Sequence, residues 1–219
     1  MEREKDMQGS RGYFIAFEGI DGSGKSTQAR ILAERMRQAG FPCYQTMEPT
    51  DGPVGLLLRQ ILTGRVQADP GVIAALFAAD RLDHLTNQVN GIVKKIEEGV
   101  TVITDRYYFS SYAYHSVDLP MDWVIQANAQ SSGMLRPSVT VFLDITPELA
   151  MERIAANRAH QELFEKKPFL EQVRGKYKEA FEKQKAQERV LVVDGSREPQ
   201  EVADDIWVKV KGCLARGRA

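Results

Sequence analysis

The sequence predicts an α/β fold, a five-stranded parallel sheet flanked by helices on both faces. Three observations point there. Short apolar runs of strand length alternate with longer helical patterns, the short runs are rich in β-branched and aromatic residues, and no repeat, low-complexity stretch or Pro/Gly/Ser linker divides the 219 residues. Strands that alternate with helices pair in parallel, and such sheets bind ligands at the carboxyl ends of their strands.

The first strand is expected at 13–18, followed by a helix over 25–38 that ends at Gly40. The second strand falls at 43–47. A long helix is expected over 72–98, stopped by Gly99, with the third strand at 101–104. After the fourth strand, 139–143, comes a helix over 147–158 with Thr146 as N-cap and Pro147 in its first turn. Phe169, Val173, Tyr177 and Phe181 recur every four residues and so share one face of a helix running to about Gln187. The fifth strand is expected at 190–193 and a last helix at 200–214. A single domain over 13–219 is predicted, preceded by a flexible segment, 1–12.

Twenty-nine basic residues against thirty acidic ones leave a net charge of -1, so no chain-wide basic field invites nucleic acid or an anionic membrane. Phosphate chemistry must then use local positive charge. Cys43 and Cys213 lie far apart without metal-ligand spacing and read as reduced thiols. Residues 1–11 lack the apolar core of a signal peptide, and the longest apolar run, 72–79, is too short to cross a bilayer. The expectation is a cytoplasmic protein acting on a small molecule, with no nucleic-acid or membrane partner.

Directly after the first strand, Gly19-Ile20-Asp21-Gly22-Ser23-Gly24-Lys25-Ser26 fits G-x-x-x-x-G-K-[ST] and opens a helix, with Thr27 next in line. The glycines let backbone N–H groups turn toward the β-phosphate of ATP, and the helix amino end adds a favourable dipole. Lys25 reaches the β/γ-phosphates and the Ser26 hydroxyl ligates Mg²⁺. The motif makes the predicted architecture a three-layer P-loop NTPase fold. By itself it leaves kinases, GTPase switches and ATP-driven machines open; the chain lacks N-K-x-D, which disfavours a GTPase, and a short single domain is a poor match to a motor.

A second constellation, 103–114, leaves a strand with Asp105-Arg106 at its end and passes into a helix. There Asp105 can hold Mg²⁺ through water or orient an acceptor, and the planar fork of Arg106 can clamp two phosphates.

Four segments in order resemble the thymidylate kinases: residues 17–27, Glu48-Pro49, Leu76-Phe77-Ala78-Ala79-Asp80-Arg81, and 105–114. The resemblance extends from Tyr13 to about Val193. It implies transfer of the γ-phosphoryl of ATP to dTMP, with Phe77 stacked on thymine and Arg81 bonded to a base carbonyl; those two positions share a helix face. It further implies Arg59 against the monophosphate, Asp21 near the sugar 3′-hydroxyl, Tyr114 crowding the ribose 2′ position, and Ser111 and His115 facing the base. A homodimer is implied as well, and the apolar stretch 72–96 is compatible with one.

The chain departs from the family pattern in three places. Met47 stands where many bacterial members have arginine, His115 where they have glutamine, and Gly22-Ser23 where some carry a catalytic arginine. The missing charge is then expected from a lid over about 153–168, with Arg153 and Arg158 as candidates alongside His160, Lys166 and Lys167. The loop Asp194-Gly195-Ser196 is placed to meet adenine. Two other readings stay open: the same fold acting on another nucleotide or deoxynucleoside, and a nucleotide-binding regulator without catalysis.

Overall fold

The strand β1 (Phe14–Glu18) is buried at all five positions because both its faces are covered. Phe14 and Ala16 point into one apolar cluster, Ile15 and Phe17 into another. A computed structural model, which describes residues 11–157, 164 and 166–216, sets β1 in the middle of a parallel sheet. The other strands are β2 (Cys43–Met47), β3 (Thr101–Asp105), β4 (Val139–Asp144) and β5 (Val190–Asp194), in the order β2-β3-β1-β4-β5. Phe17 pairs with Asp105 and Glu18 with Phe142, so the carboxyl ends of the three central strands open at one level.

On one face, α1 (Lys25–Gln38) and α10 (Pro199–Arg216) cover Ile15 and Phe17 with Leu32, Met36, Val202, Ile206 and Val210. On the other, α5 (Tyr108–His115) and α9 (Lys167–Gln184) contribute Tyr108, Tyr112, Leu170, Val173 and Tyr177. Each such fully buried large apolar side chain is worth roughly 1.5–3 kcal/mol. The four-residue recurrence from Phe169 is thus the buried stripe of α9. Beyond the edge of the sheet, α2 (Pro53–Leu62) and α3 (Pro70–Thr86) hold a third cluster of Leu58, Ile61 and Ile73, with Phe77 packed on it. Short helices α6 (Met121–Ala127) and α7 (Ala129–Met134) precede β4, and α8 (Pro147–Asn157) follows it.

The single helix expected over 72–98 is corrected: it is two, α3 and α4 (Ile92–Glu97). Asn87 breaks it. Its side-chain oxygen accepts from the N–H groups of Val89 (3.0 Å) and Asn90 (3.4 Å), offering the backbone a turn in place of the helical ladder. Helix α3 begins at Pro70, two residues before its expected start, because Asp69 caps it by accepting from Gly71 N–H at 2.8 Å. Of the segment 1–12, Gly12 donates to the Ile96 carbonyl at 2.8 Å, while residues 1–10 lie outside the described residues. Among the described residues no helix is long and apolar enough to cross a membrane.

Candidate active site

The turn from β1 into α1 carries positive φ at Gly19, Gly22 and Gly24. At Gly22 glycine is required twice over: φ is +77°, and a Cβ would lie 2.5 Å from the Ala150 carbonyl of α8. Lys25 folds back across the loop and donates to the Ile20 carbonyl at 2.9 Å. Burial, together with the charge of Arg106, draws its pKa down to about 8 against the opposing pull of Asp105, Asp21 and Glu18. The Ser26 hydroxyl donates to Asp105 Oδ2, and the other carboxylate oxygen, Oδ1, is buried with no partner among the described residues. A hydroxyl and an unsatisfied carboxylate oxygen beside a phosphate loop are oxygen donors of the kind Mg²⁺ takes.

Arg106 sits one residue beyond β3 with φ of 75°, a conformation uncommon outside glycine. From there its Nη2 donates to Asp21 Oδ1 (2.5 Å) and Tyr114 Oη (3.3 Å), and its Nη1 to Ser110 Oγ (3.0 Å). Burial opposes its charge, but Tyr114 and Asp21 outweigh that and hold its pKa well above the usual range. Tyr114 in turn donates to Asp21 Oδ2 at 2.9 Å. Asp21, Arg106 and Tyr114 thus form one node beside the phosphate loop.

The cleft continues toward α3. One cavity of about 890 Å³ is lined by the loop residues 21–28 and by Glu48, Pro49, Arg59, Phe77, Arg81, Asp105, Arg106, Ser111, Tyr114 and His115. Gly19 and Ile20 precede residues 21–28 in the loop. Phe77 and His115 face each other with ring centroids 5.0 Å apart. Burial, and after it the Arg81 charge, lowers His115 to about 3, so its imidazole is neutral. Arg81 is fully buried: Glu48 Oε2 accepts from its Nε (2.9 Å) and Nη2 (2.6 Å), Ser111 Oγ (3.0 Å) and Asn128 Oδ1 from Nη1, and the Tyr107 carbonyl from Nη2 (3.2 Å). All five of its N–H groups are therefore engaged by the protein, a feature no spacing in the sequence revealed. Arg59 donates to the Pro49 carbonyl at 2.6 Å across a cis Glu48-Pro49 bond, and its Nε is buried with no partner among the described residues.

At the opposite end, Gly195, Ser196, Arg197 and Pro199 line the cavity, and Arg153 on α8 donates to the Gly195 carbonyl at 3.0 Å. Of the expected lid, Arg158 and His160 lie outside the described residues. Phe164 stacks on Phe169 at 5.1 Å and meets the Tyr114 ring at 5.8 Å. Sequence reasoning passed over Glu18, Ser110, Tyr177, Asn128 and His84. His84 Nδ1 donates to Glu48 Oε1 (3.1 Å), and His84 lies three residues beyond Arg81, a helical spacing that could have flagged it. Nothing local marks Asn128.

Known proteins are similar to this chain in sequence. A family model described as Thymidylate kinase matches residues 17–206. The chain is 36% identical to a thymidylate kinase of Symbiobacterium thermophilum over 93% of its length and 94% of that protein's. It is 35% identical to a thymidylate kinase of Thermomicrobium roseum, covering 94% of this chain and 98% of that one. Against a probable thymidylate kinase of Pyrobaculum calidifontis the identity is 38%, over 92% and 97% of the two chains. The phosphate loop, the Asp105-Arg106 strand end and the Phe77/Arg81 helix all fall inside the matched span, and the chain belongs to the thymidylate kinase family.

Proposed function

We infer that this protein is an ATP:dTMP phosphotransferase, moving the γ-phosphoryl group of ATP to the 5′-phosphate of dTMP to give dTDP and ADP. The observation that carries the reading is the continuity of one cleft from a phosphate loop to a pocket walled by Phe77, Arg81, Tyr114 and His115. Two anions can lie end to end in it. The loop amides and Lys25 would cradle the β- and γ-phosphates, Arg106 would neutralise the transferring oxygens, and Arg59, with an unsatisfied Nε, would meet the acceptor phosphate. Phe77 offers a face to the pyrimidine, neutral His115 and Ser111 offer polar edges, and Asp21 and Tyr114 border the sugar. Ser26 and Asp105 would hold Mg²⁺, whose charge would offset that of the phosphates. Arg153 is the described lid cation nearest the donor end, where the loop 194–196 would meet adenine. Catalysis then rests on positioning and charge neutralisation without a covalent intermediate.

Exposed Val72, Ala75 and Ala79 lie along one face of α3, and this face supports a homodimer. A cytoplasmic location accords with a substrate of this kind. A catalytically silent regulator is not favoured, since Lys25, Ser26, Asp105 and Arg106 are all in place.

A coupled ADP-release assay across dTMP, dUMP, dCMP, dGMP and AMP tests the assignment, with dTMP expected to be preferred. A thymine methyl is worth about 1–3 kcal/mol in an apolar pocket, so dUMP should remain a poorer substrate. Lys25→Met should abolish turnover with the fold intact; near-native activity in that variant would overturn the reading.

A further inference from the structure

The backbone at Arg106 is held in a sparsely populated conformation, and such a residue persists only where its surroundings over-determine it. Its own N–H donates to the Phe17 carbonyl at 2.9 Å and its carbonyl accepts from Thr104 Oγ1 at 2.9 Å. Immediately beyond it the chain is fixed by one side chain from the neighbouring strand. Glu18 Oε1 accepts from the N–H groups of Tyr107 (2.9 Å) and Ser110 (3.2 Å), the first turn of α5. Glu18 Oε2 accepts from Ser110 Oγ at 2.6 Å, which leaves the lone pairs of that hydroxyl facing Arg106 Nη1, 3.0 Å away. Tyr177 Oη, from α9, lies 2.9 Å from both Glu18 Oε2 and Ser110 Oγ. Glu18 is fully buried and none of these four partners is a cation. A buried carboxylate without a direct counter-ion is expensive, and the charge it faces through Ser110 is that of Arg106.

We propose that Glu18 is the positioning residue of the active site, fixing both the backbone and the guanidinium of Arg106 through the amino end of α5 and the Ser110 hydroxyl. The proposal rests on the phosphotransferase reading above. It assigns a task to the glutamate that ends the first strand, next to the phosphate loop, that substrate contacts do not explain. Ser110 supplies the link, and Tyr177 ties the same node to α9.

The test is a double-mutant cycle in the coupled assay with ATP and dTMP. Glu18→Gln should lower kcat about ten- to a hundredfold, as a misplaced catalytic group does, while KM for ATP changes by less than about threefold. In an Arg106→Gln background the same substitution should have little further effect, because its target is gone. Equal losses in both backgrounds, or a lowered melting temperature with kcat unchanged, would overturn the proposal. Should Glu18→Gln fail to fold, Ser110→Ala carries the same comparison, since it removes the hydroxyl between Glu18 and Arg106 but keeps both N–H bonds to Glu18. A native enzyme inactive on dTMP would overturn the phosphotransferase reading and this proposal together; an active one with additive losses would overturn this proposal alone.

Discussion

A guanidinium with no exposure, as in Arg81, is tolerated only because every N–H finds an acceptor and Glu48 balances its charge. Arg81→Met should therefore cost about 3–5 kcal/mol, because it strands the buried Glu48 carboxylate with His84 as its remaining side-chain partner. Urea denaturation reads this; a loss under about 1 kcal/mol would mean the network relaxes around the gap. His115 makes a pH prediction. Its folded pKa, about 3, lies below the ordinary 6.5, so between those values the unfolded chain binds the extra proton and stability falls as the pH drops. Arg81 is the charge that faces it. Relative to His115→Gln, the native protein should lose about 1 kcal/mol between pH 6.5 and about pH 5.5. Parallel stability curves for the two proteins would show that His115 is not held neutral. Phe77 and Arg81 were named through the family resemblance, their shared helix face being compatible with it, whereas Asp105 and Arg106 were marked by their place at the end of a strand. The partners of Arg81 had no such mark, since Asn128 and Tyr107 reach Arg81 from 47 and 26 positions away.

At the scale of elements, α8 packs closely over the phosphate loop at Gly22. Gly22→Ala would force a Cβ against the Ala150 carbonyl in a backbone conformation that costs an L residue about 1–2 kcal/mol. The loop must shift, and ATP affinity should fall at least about tenfold by titration calorimetry, which corresponds to about 1.4 kcal/mol. Unchanged affinity would show that the α8 contact can move without disturbing the cradle. The strands and α1 followed from local pattern because strand-length runs rich in apolar and β-branched residues mark a parallel sheet, whose central strands β1 and β3 are buried along their whole length. The break at Asn87 did not, because apolar residues continue on both sides of it and a side-chain hydrogen bond decides the turn. The cavity likewise shows α2 and α3 as a wall of the site, which the sequence suggested only for single residues.

For the whole molecule, the exposed face of α3 predicts assembly. Ala75→Glu should shift sedimentation from dimer toward monomer at protein concentrations of roughly tens of micromolar, with the fold unchanged by circular dichroism. A native protein that sediments as a monomer there would end the homodimer proposal. What the sequence determined by itself was the sheet and the phosphate loop, because these depend on residue type at fixed short spacing, apolar runs and glycines before a lysine, while the kind of reaction came from the resemblance of four segments in order. What only the tertiary structure decided was which groups satisfy one another. Glu18 meets Ser110 across 92 positions, and Arg106 meets Asp21 across 85. Burial makes such pairings obligatory, since a polar group removed from water must find a partner wherever the fold brings one, and no local pattern encodes where that is.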